Sequence, residues 1–293
     1  MSEYFIELKL VLPRPFLDLF GNFLVENGCK GYIIEDNIKG KVILKGYLKE
    51  KSRANALVEK INKYTDSLDE INKSHIEIEL ELNRIKEENW SKKWRESFKP
   101  IQVADKIVIK PSWIKKEFPK KIVIEIEPKM AFGTGEHSTS RLCLKALDRY
   151  VSPGDKIIDL GTGSGILAIA SAKLGASRVL ALDIDSDAIA NAKENITKNK
   201  VRRIVDLRRG TLDEKIPGNY FDIVVANLTR AEIIKLFDKM SSALTENGLL
   251  ILSGIQNKEK KKMEEFLLRE SLLIKEDLSE EGWVCFIAQK VKK

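Results

Sequence analysis

The sequence of 293 residues predicts an α/β protein with a doubly wound parallel sheet, preceded by a small α+β domain. From residue 156 onward, apolar runs typical of buried strands alternate with Ala- and Leu-rich helical runs, the pattern of a parallel sheet with helices on both faces. The first 83 residues instead follow the order strand, helix, strand, strand, helix, strand, which is the split βαβ pattern of ferredoxin-like domains. We therefore expect domains at 1–83 and 101–293, joined by a helical linker at 84–100.

Apolar periodicity sets the elements of the small domain. Ile6–Leu10 alternates apolar with charged residues, as in a half-buried strand. The elements after it are predicted as helix Arg14–Asn27, strands Tyr32–Glu35 and Val42–Leu48, helix Ser52–Tyr64 and strand Ile76–Leu82. The last strand places Glu77, Glu79 and Glu81 in one row. A basic partner could bind this row, but a solvated polar face is the favoured interpretation.

The linker carries an aromatic stripe and begins a basic segment that continues to residue 121. Trp90, Trp94 and Phe98 are four residues apart, on one face of a helix that Pro100 helps to end. Packing onto a neighbouring domain is favoured over a role in stacking on a substrate. Residues 84–121 hold 12 Lys and Arg against 5 Asp and Glu, which equals the net charge of +7. An acidic partner or RNA could bind there, although a solvated linker is the simpler interpretation.

A glycine-rich loop is the strongest candidate for a nucleotide site. Gly161–Gly165 follows an apolar strand that runs into Asp159, and it precedes a helix over Ile166–Leu174. Glycines let the backbone approach a ligand closely, and the helix start presents unpaired N–H groups to a negative group. Asp183 ends the next strand, about 20 residues beyond the loop, where a carboxylate can bind two ribose hydroxyls.

The spacing of the loop distinguishes between two nucleotides. Dinucleotide sites carry G-x-G-x-x-G, whereas this loop is G-x-G-x-G with Ile166 at the position of the last glycine. Asp159 also stands where dinucleotide sites are usually apolar. Both features favour S-adenosylmethionine over a nicotinamide cofactor, with the donor's carboxylate at the loop and its ribose at Asp183. Glycines that serve packing alone are disfavoured, because three in five residues cost backbone entropy.

The larger domain alternates strands and helices to its end. Besides those named, its predicted elements are strands Ile107–Ile109, Ile122–Ile126, Arg178–Leu182, Ile204–Leu207 and Leu249–Ser253, helices Asp187–Asn199, Ala231–Leu244 and Lys258–Glu270, and a closing pair near Leu273 and Val284. The strand Tyr220–Asn227 ends on a polar residue. Since ligands of open parallel sheets bind beyond the carboxyl ends of the strands, Asn227 is expected to meet the transferable methyl group and its acceptor.

The segment 127–141, EPKMAFGTGEHSTSR, precedes a helix predicted over Leu142–Tyr150. Its two glycines and four hydroxyl residues beside the cofactor strand indicate a lid over the methionine end of the donor. His137 could act as a general base, but helix capping or packing in the lid is at least as well supported.

Composition argues against several classes of protein. No apolar run reaches the roughly 18 residues of a membrane span, and the start MSEYFIELKL does not resemble a signal peptide. Cys29, Cys143 and Cys285 are far apart and lack C-x-x-C spacing, which predicts a reducing cytoplasm and argues against a structural zinc site. With only two histidines, we expect no metal centre.

These motifs resemble the PrmA-type methyltransferases, which modify the eleventh protein of the large ribosomal subunit. The resemblance extends nearly end to end through WSKKWRESFKP, KIVIKPSW, AFGTGEHSTS, DLGTGSGILAIAS, LALDID, VVANL and LLILSGI. The glycine loop occurs in all such methyltransferases, whereas AFGTGxH followed by VANL is specific to this family. The sequence departs at HSTS, where the family often has proline and two threonines, but Ser140 keeps the hydroxyl.

The resemblance implies a Rossmann-like, S-adenosylmethionine-dependent protein N-methyltransferase of the cytoplasm. Its acceptors would be lysine side chains or the α-amine of large-subunit ribosomal protein eleven, recognised by residues 1–83. It would act as a monomer and require neither nucleic acid nor a membrane. The positions carried over for donor binding are Thr139, Ser140, Gly161, Gly163, Asp183 and Asn227. Of these, Asn227 is also the candidate catalytic residue.

Two other function classes remain open at this point. Enzymes that methylate exocyclic amino groups of RNA bases usually carry Asn or Asp, two prolines and an aromatic at this strand end, the aromatic stacking on a flipped base. Here Asn227 is followed by Leu228, Thr229 and Arg230, without an aromatic. A non-catalytic module of ribosome assembly is disfavoured by the intact donor-site residues.

Overall fold

The computed structural model describes residues 4–29, 32–36, 40–48, 51–72, 75–86, 99–126, 137–213 and 215–291. The chain divides into two compact units, Met1–Phe98 and Lys99–Lys293. The predicted aromatic helix with Trp90 and Trp94 lies outside the described residues, as does the predicted lid up to residue 136. None of the helices in the described ranges has the length and hydropathy needed to cross a membrane.

The first unit is a four-stranded antiparallel sheet with two helices on one face. Its elements are β1 Tyr4–Pro13, a 3-10 turn Arg14–Phe16, α1 Leu17–Glu26, β2 Tyr32–Asp36, β3 Lys41–Leu48, α2 Lys51–Asn72 and β4 Glu79–Lys86. The strand order β2-β3-β1-β4 is that of the ferredoxin-like split βαβ fold, as predicted. Helix α2 extends well past the predicted Tyr64, and β4 begins at Glu79 rather than Ile76. Inward residues such as Leu8, Phe20 and Leu57 form the core between sheet and helices.

The acidic row of the small domain is paired with lysines of its own sheet. Lys9 Nζ lies 2.9 Å from a carboxylate oxygen of Glu81, and Lys41 Nζ lies 2.8 Å from Glu77 and 3.8 Å from Glu79. Exposed pairs of this kind contribute little to stability, because water and salt screen them. The row is therefore a solvated polar face with its own counter-charges, rather than a surface that needs a basic partner.

The second unit is built on a seven-stranded mixed sheet. Its elements are β5 Ile101–Gln102, β6 Ile107–Lys110, β7 Ile122–Glu125, α3 Ser138–Tyr150, β8 Lys156–Leu160, α4 Ile166–Lys173, β9 Arg178–Asp183, α5 Ser186–Lys198, β10 Val205–Arg209, β11 Phe221–Asn227, α6 Arg230–Ala243, β12 Leu244–Gln256, α7 Lys260–Arg269, β13 Leu272–Glu280 and β14 Trp283–Lys290. The order is β10-β9-β8-β11-β12-β14-β13, in which β14 is antiparallel to both of its neighbours. Strands β5–β7 form a separate small sheet.

Both faces of the large sheet are covered, because its strands are apolar on both sides. Ile157 and Val225 face the core that includes residues of α3 and α4, whereas Ile158 and Val224 face the core that includes residues of α6 and α7. The chain leaves β8 toward β9 on one side and later returns to β11 on the other. The carboxyl ends of β8, β9 and β11 therefore border the switch point of the sheet, where ligands of doubly wound folds bind.

Candidate functional site

The glycine loop has a backbone that other residues would strain. Gly161, Gly163 and Gly165 have φ values of +74°, +54° and +81°, in the left-handed region that favours glycine. Space is also limited, because a Cβ on Gly161 would lie 2.7 Å from Leu228 Cδ2. The loop that sequence analysis selected thus needs glycine for conformation and, at its first position, for packing.

Two neighbouring elements fix the loop from outside. The N–H groups of Gly161 and Thr162 both donate to the carbonyl of Leu182 at 2.9 Å, at the end of β9. From α5, Asn195 Nδ2 donates to the carbonyl of Ser164 at 2.9 Å. Asn195 is fully buried. Asn195 was not among the predicted site residues, although two asparagines four residues apart on the buried face of a helix, Asn191 and Asn195, were a usable signal.

Asp159 supports the loop from beneath. Its Oδ2 accepts hydrogen bonds from Thr162 Oγ1 at 2.6 Å and from the N–H of Ala168 at 2.9 Å. The side chain is completely buried, and this burial raises the pKa of Asp159 to about 7 despite the opposing effect of the two hydrogen bonds. The acid before the glycines therefore joins β8, the loop and the start of α4.

Asp183 lies where the sequence predicts, at the end of β9 beside the loop. Its Oδ2 accepts from the N–H of Gly163 at 2.8 Å and its Oδ1 from the N–H of Asp185 at 3.0 Å, which fix the carboxylate plane. Ile184, the next residue, is 71% exposed. Ile184 was not among the predicted site residues. The usable signal was a large apolar residue in a turn between two acids, Asp183 and Asp185.

A second pair of predicted residues meets at the same edge of the sheet. Asn227 Nδ2 donates to Ser140 Oγ at 3.5 Å, joining β11 to the first turn of α3. Asn227 comes directly after Ala226, which pairs with Leu160 at the end of β8, so this pair and the glycine loop border one edge. Thr139 is also buried, but its hydroxyl lies 2.7 Å from His137 Nδ1. The structure thus brings Ser140 to Asn227 and directs Thr139 elsewhere.

Helix α3 begins earlier than predicted, and the contacts at its start identify the role of His137. The helix begins at Ser138 rather than Leu142, because His137 caps it: Nδ1 accepts from the N–H of Thr139 at 3.3 Å. The ring also packs edge-on against Trp283, with centroids 5.2 Å apart. These contacts support the capping interpretation of His137 over that of a general base.

A seven-stranded sheet with a reversed strand before its edge, a glycine loop held by an acid on β9 and an amide at the end of β11 define a Rossmann-like methyltransferase. The chain matches the family model described as ribosomal protein L11 methyltransferase (PrmA) over residues 4–291 and belongs to that family. The resemblance inferred from the motifs is confirmed.

Individual relatives align with most of the chain. A ribosomal protein L11 methyltransferase of Clostridium perfringens is 34% identical over 313 aligned positions, covering 99% of each chain. One of Listeria monocytogenes is 39% identical over 261 positions, covering 87% of this chain and 82% of the relative. Among solved structures, a ribosomal protein L11 methylase from Lactobacillus delbrueckii subsp. bulgaricus is 31% identical, with a TM-score of 0.61, and covers 66% of this chain and 99% of its own.

Proposed function

We propose that the protein transfers methyl groups from S-adenosylmethionine to amino groups of ribosomal protein L11, at lysine side chains, the α-amine or both. Relatives that align over most of their length are named for this activity. The observation that carries the proposal is the Asn227–Ser140 pair at the edge of the sheet that also holds the glycine loop. The residues around the glycine loop suit the donor, and the Asn227–Ser140 pair suits the place where the donor's methyl group meets an incoming amine.

The residues around the loop fit S-adenosylmethionine. The glycine loop lies at the N-terminal end of α4, where the positive end of the helix dipole suits the donor's carboxylate. Asp183 offers a charged acceptor for two ribose hydroxyls, and the exposed side chain of Ile184 offers an apolar surface for the base. When bound, the donor supplies an activated methyl group, so the protein's own task is to orient an amine and exclude water.

Asn227 is the residue that we propose to orient the acceptor amine. Because its amide nitrogen donates to Ser140, its amide oxygen is the group left to accept from an amine N–H. A lysine amine has an ordinary pKa of about 10.4 and must lose its proton before it can attack. A dry pocket lowers that pKa, since burial disfavours the charged form. His137 is engaged in capping, and the proposal requires no separate general base.

The end of β11 does not favour RNA bases as acceptors. Leu228 packs on the glycine loop, and Thr229 caps α6 in a reciprocal capping box with Glu232. No aromatic side chain stands in this stretch to stack on a flipped base.

The test is an isotope-labelled methyl donor with two acceptors in parallel, purified ribosomal protein L11 and protein-free large-subunit RNA. We expect label in the protein alone, with mass spectrometry giving the modified amines. The Asn227→Ala variant serves as the control for contaminating activity. Label in the RNA without label in L11 would overturn the proposal.

A further inference from the structure

The β13–β14 turn, Glu280–Trp283, contacts the start of α3 from more than a hundred residues away. Ser138 Oγ donates to Glu281 Oε2 at 2.6 Å, and the Arg141 guanidinium donates to Glu281 at 2.8 Å and to Glu280 at 2.5 Å. Arg141 also donates to Ser138 Oγ at 3.0 Å, which closes a triangle. The turn thereby holds the helix on both sides of the buried residues Thr139 and Ser140.

These contacts differ from ordinary surface ion pairs in their burial. The side chains of Arg141 and Glu280 are only 18% and 23% exposed and Ser138 is buried, whereas the side chain of Glu281 is 54% exposed. Although burial raises it, Lys145 and Arg141 together hold the pKa of Glu280 below its usual range. Charge-assisted hydrogen bonds of this kind fix geometry, because they are short and directional.

The backbone conformation of Glu281 indicates that the turn alone does not account for a glutamate at this position. Glu280 pairs with Trp283, so Glu281 and Gly282 form a two-residue hairpin turn, with φ values of +47° and +82°. Such turns favour Asn, Asp or Gly at the first position, where a glutamate is strained. Asparagine would make the turn at lower cost, but its shorter side chain would not reach Ser138 and Arg141 as glutamate does.

We propose that Glu281 is a positioning residue for the donor site, acting through Ser138 and Arg141 to hold Ser140 against Asn227. The Ser140–Asn227 distance of 3.5 Å is at the outer limit of a hydrogen bond, so a small shift of the helix start would break it. The inference rests on the proposed function in taking Ser140 and Asn227 as donor-site residues.

The test is Glu281→Asn, which suits the turn better but removes the contact with the helix. We expect its thermal stability to equal or exceed that of the wild type, while Kd for S-adenosylhomocysteine and KM for the donor rise about five- to tenfold. The kcat at saturating donor should change much less, because the reacting groups are intact. Glu281→Gln keeps a hydrogen-bond acceptor for Ser138 and should recover most of the affinity.

Glu276→Gln is the matched control. Glu276 lies on the same hairpin and pairs with Arg149 and Tyr150, at the far end of the same helix from Ser140. We expect its donor affinity to be unchanged. Wild-type affinity in Glu281→Asn, or an equal loss in Glu276→Gln, would overturn the inference. Donor binding is measured without acceptor, so a failure to methylate ribosomal protein L11 would count against the proposed function alone.

Discussion

Asp159 makes the stability of the folded protein dependent on pH. Its pKa is about 7 in the folded protein, whereas an unperturbed aspartate has about 3.9. Between these two values the unfolded chain has released a proton that the folded protein still holds. The contribution of Asp159 to the free energy of unfolding therefore falls as pH rises from about 4 to about 7, and is constant above that range.

Asp159→Asn should remove this dependence, since an amide does not titrate and its oxygen can still accept from Thr162 and Ala168. Relative to wild type, the free energy of unfolding of the variant should rise by at least about 1.4 kcal/mol, one pKa unit, between about pH 5 and pH 7.5. Urea unfolding at the two pH values measures this difference. Parallel changes in the two proteins would contradict the assignment.

Asp183→Ala should weaken donor binding by tenfold or more while leaving the fold intact. The variant loses charge-assisted hydrogen bonds to ribose, each worth about 1.5–3 kcal/mol, and also frees the N–H of Gly163. Calorimetry with S-adenosylhomocysteine measures the loss. Asp183→Asn, which keeps an oxygen for Gly163, separates the two effects. Unchanged affinity in a folded alanine variant would remove Asp183 from the site.

Asn227→Ala should lower turnover more than donor affinity, because the amide oxygen acts on the incoming amine, whose interaction matters most in the transition state. Ser140→Ala is the companion variant, since it removes the partner of the amide nitrogen and leaves the oxygen in place. Single-turnover rates and donor Kd values distinguish the two. Equal losses of rate and affinity in Asn227→Ala would make the residue a donor contact only.

At the scale of residues, the sequence predicted those candidate site residues whose position depends on their neighbours in the chain. Gly161, Asp183 and Asn227 follow strand ends that can be recognised from a few neighbours. Asn195 and Glu281 escaped, because their roles depend on partners 31 and 143 positions away that no spacing rule connects. The sequence contains these partners, but only the folded chain shows that they meet.

At the scale of elements, the misplaced start of α3 shows how tertiary contacts override composition. The run of His137 to Ser140 has the polar character of a loop, and sequence analysis treated it so. In the fold, His137 caps the helix while the next three residues are buried. Polar side chains are accommodated inside because each finds a partner, among them Glu281 for Ser138 and Asn227 for Ser140.

The register shift in β12, between Leu252 and Ile255, allows a test of how closely β12 packs against the residue after β11. A Cβ on Gly254 would lie 2.3 Å from the carbonyl oxygen of Leu228, the residue that also packs on Gly161. Gly254→Ala should therefore destabilise the protein by about 3 kcal/mol or more and weaken donor binding.

Gly154→Ala is the matched control, since its φ is also positive but nothing lies within 4 Å of its Cβ. We expect it to cost only the left-handed strain, about 1–2 kcal/mol. Urea unfolding and donor calorimetry on both variants measure the difference, and similar losses in the two would exclude the clash.

At the scale of the whole molecule, the two units have separate cores. One core cluster draws its residues from Met1–Phe98, and the other two clusters draw theirs from Lys99–Lys293. We propose that the first unit recognises the acceptor, because a specific protein interface covers roughly 800 Å² per partner and so needs contacts beyond the residues at the strand ends.

Removing residues 1–98 should leave a folded fragment that binds the donor with wild-type affinity but no longer methylates ribosomal protein L11. Calorimetry and the labelled-methyl assay report the two properties separately. A fragment that methylates the protein at the full-length rate would place recognition in the second unit, and the basic residues at 99–121 would be the next to test.

In the second unit, the strand order was the part of the architecture that could not be predicted from the sequence. Alternating strands and helices predicted a doubly wound sheet, and the pair near Leu273 and Val284 was expected to close it. The insertion of β14 between β12 and β13 depends on pairing between distant strands, which leaves no periodic signature in the chain.

The position of β14 also bears on the time at which the protein matures during synthesis. Of the described strands, β14 is translated last, yet it is the only hydrogen-bonding neighbour that joins β12 to β13. While Trp283–Lys290 is still inside the ribosome, the nascent chain already contains the glycine loop, but one edge of β12 has no strand paired to it. It also lacks the turn that holds the start of α3. Affinity for the donor should therefore be acquired late, once Trp283–Lys290 has left the exit tunnel.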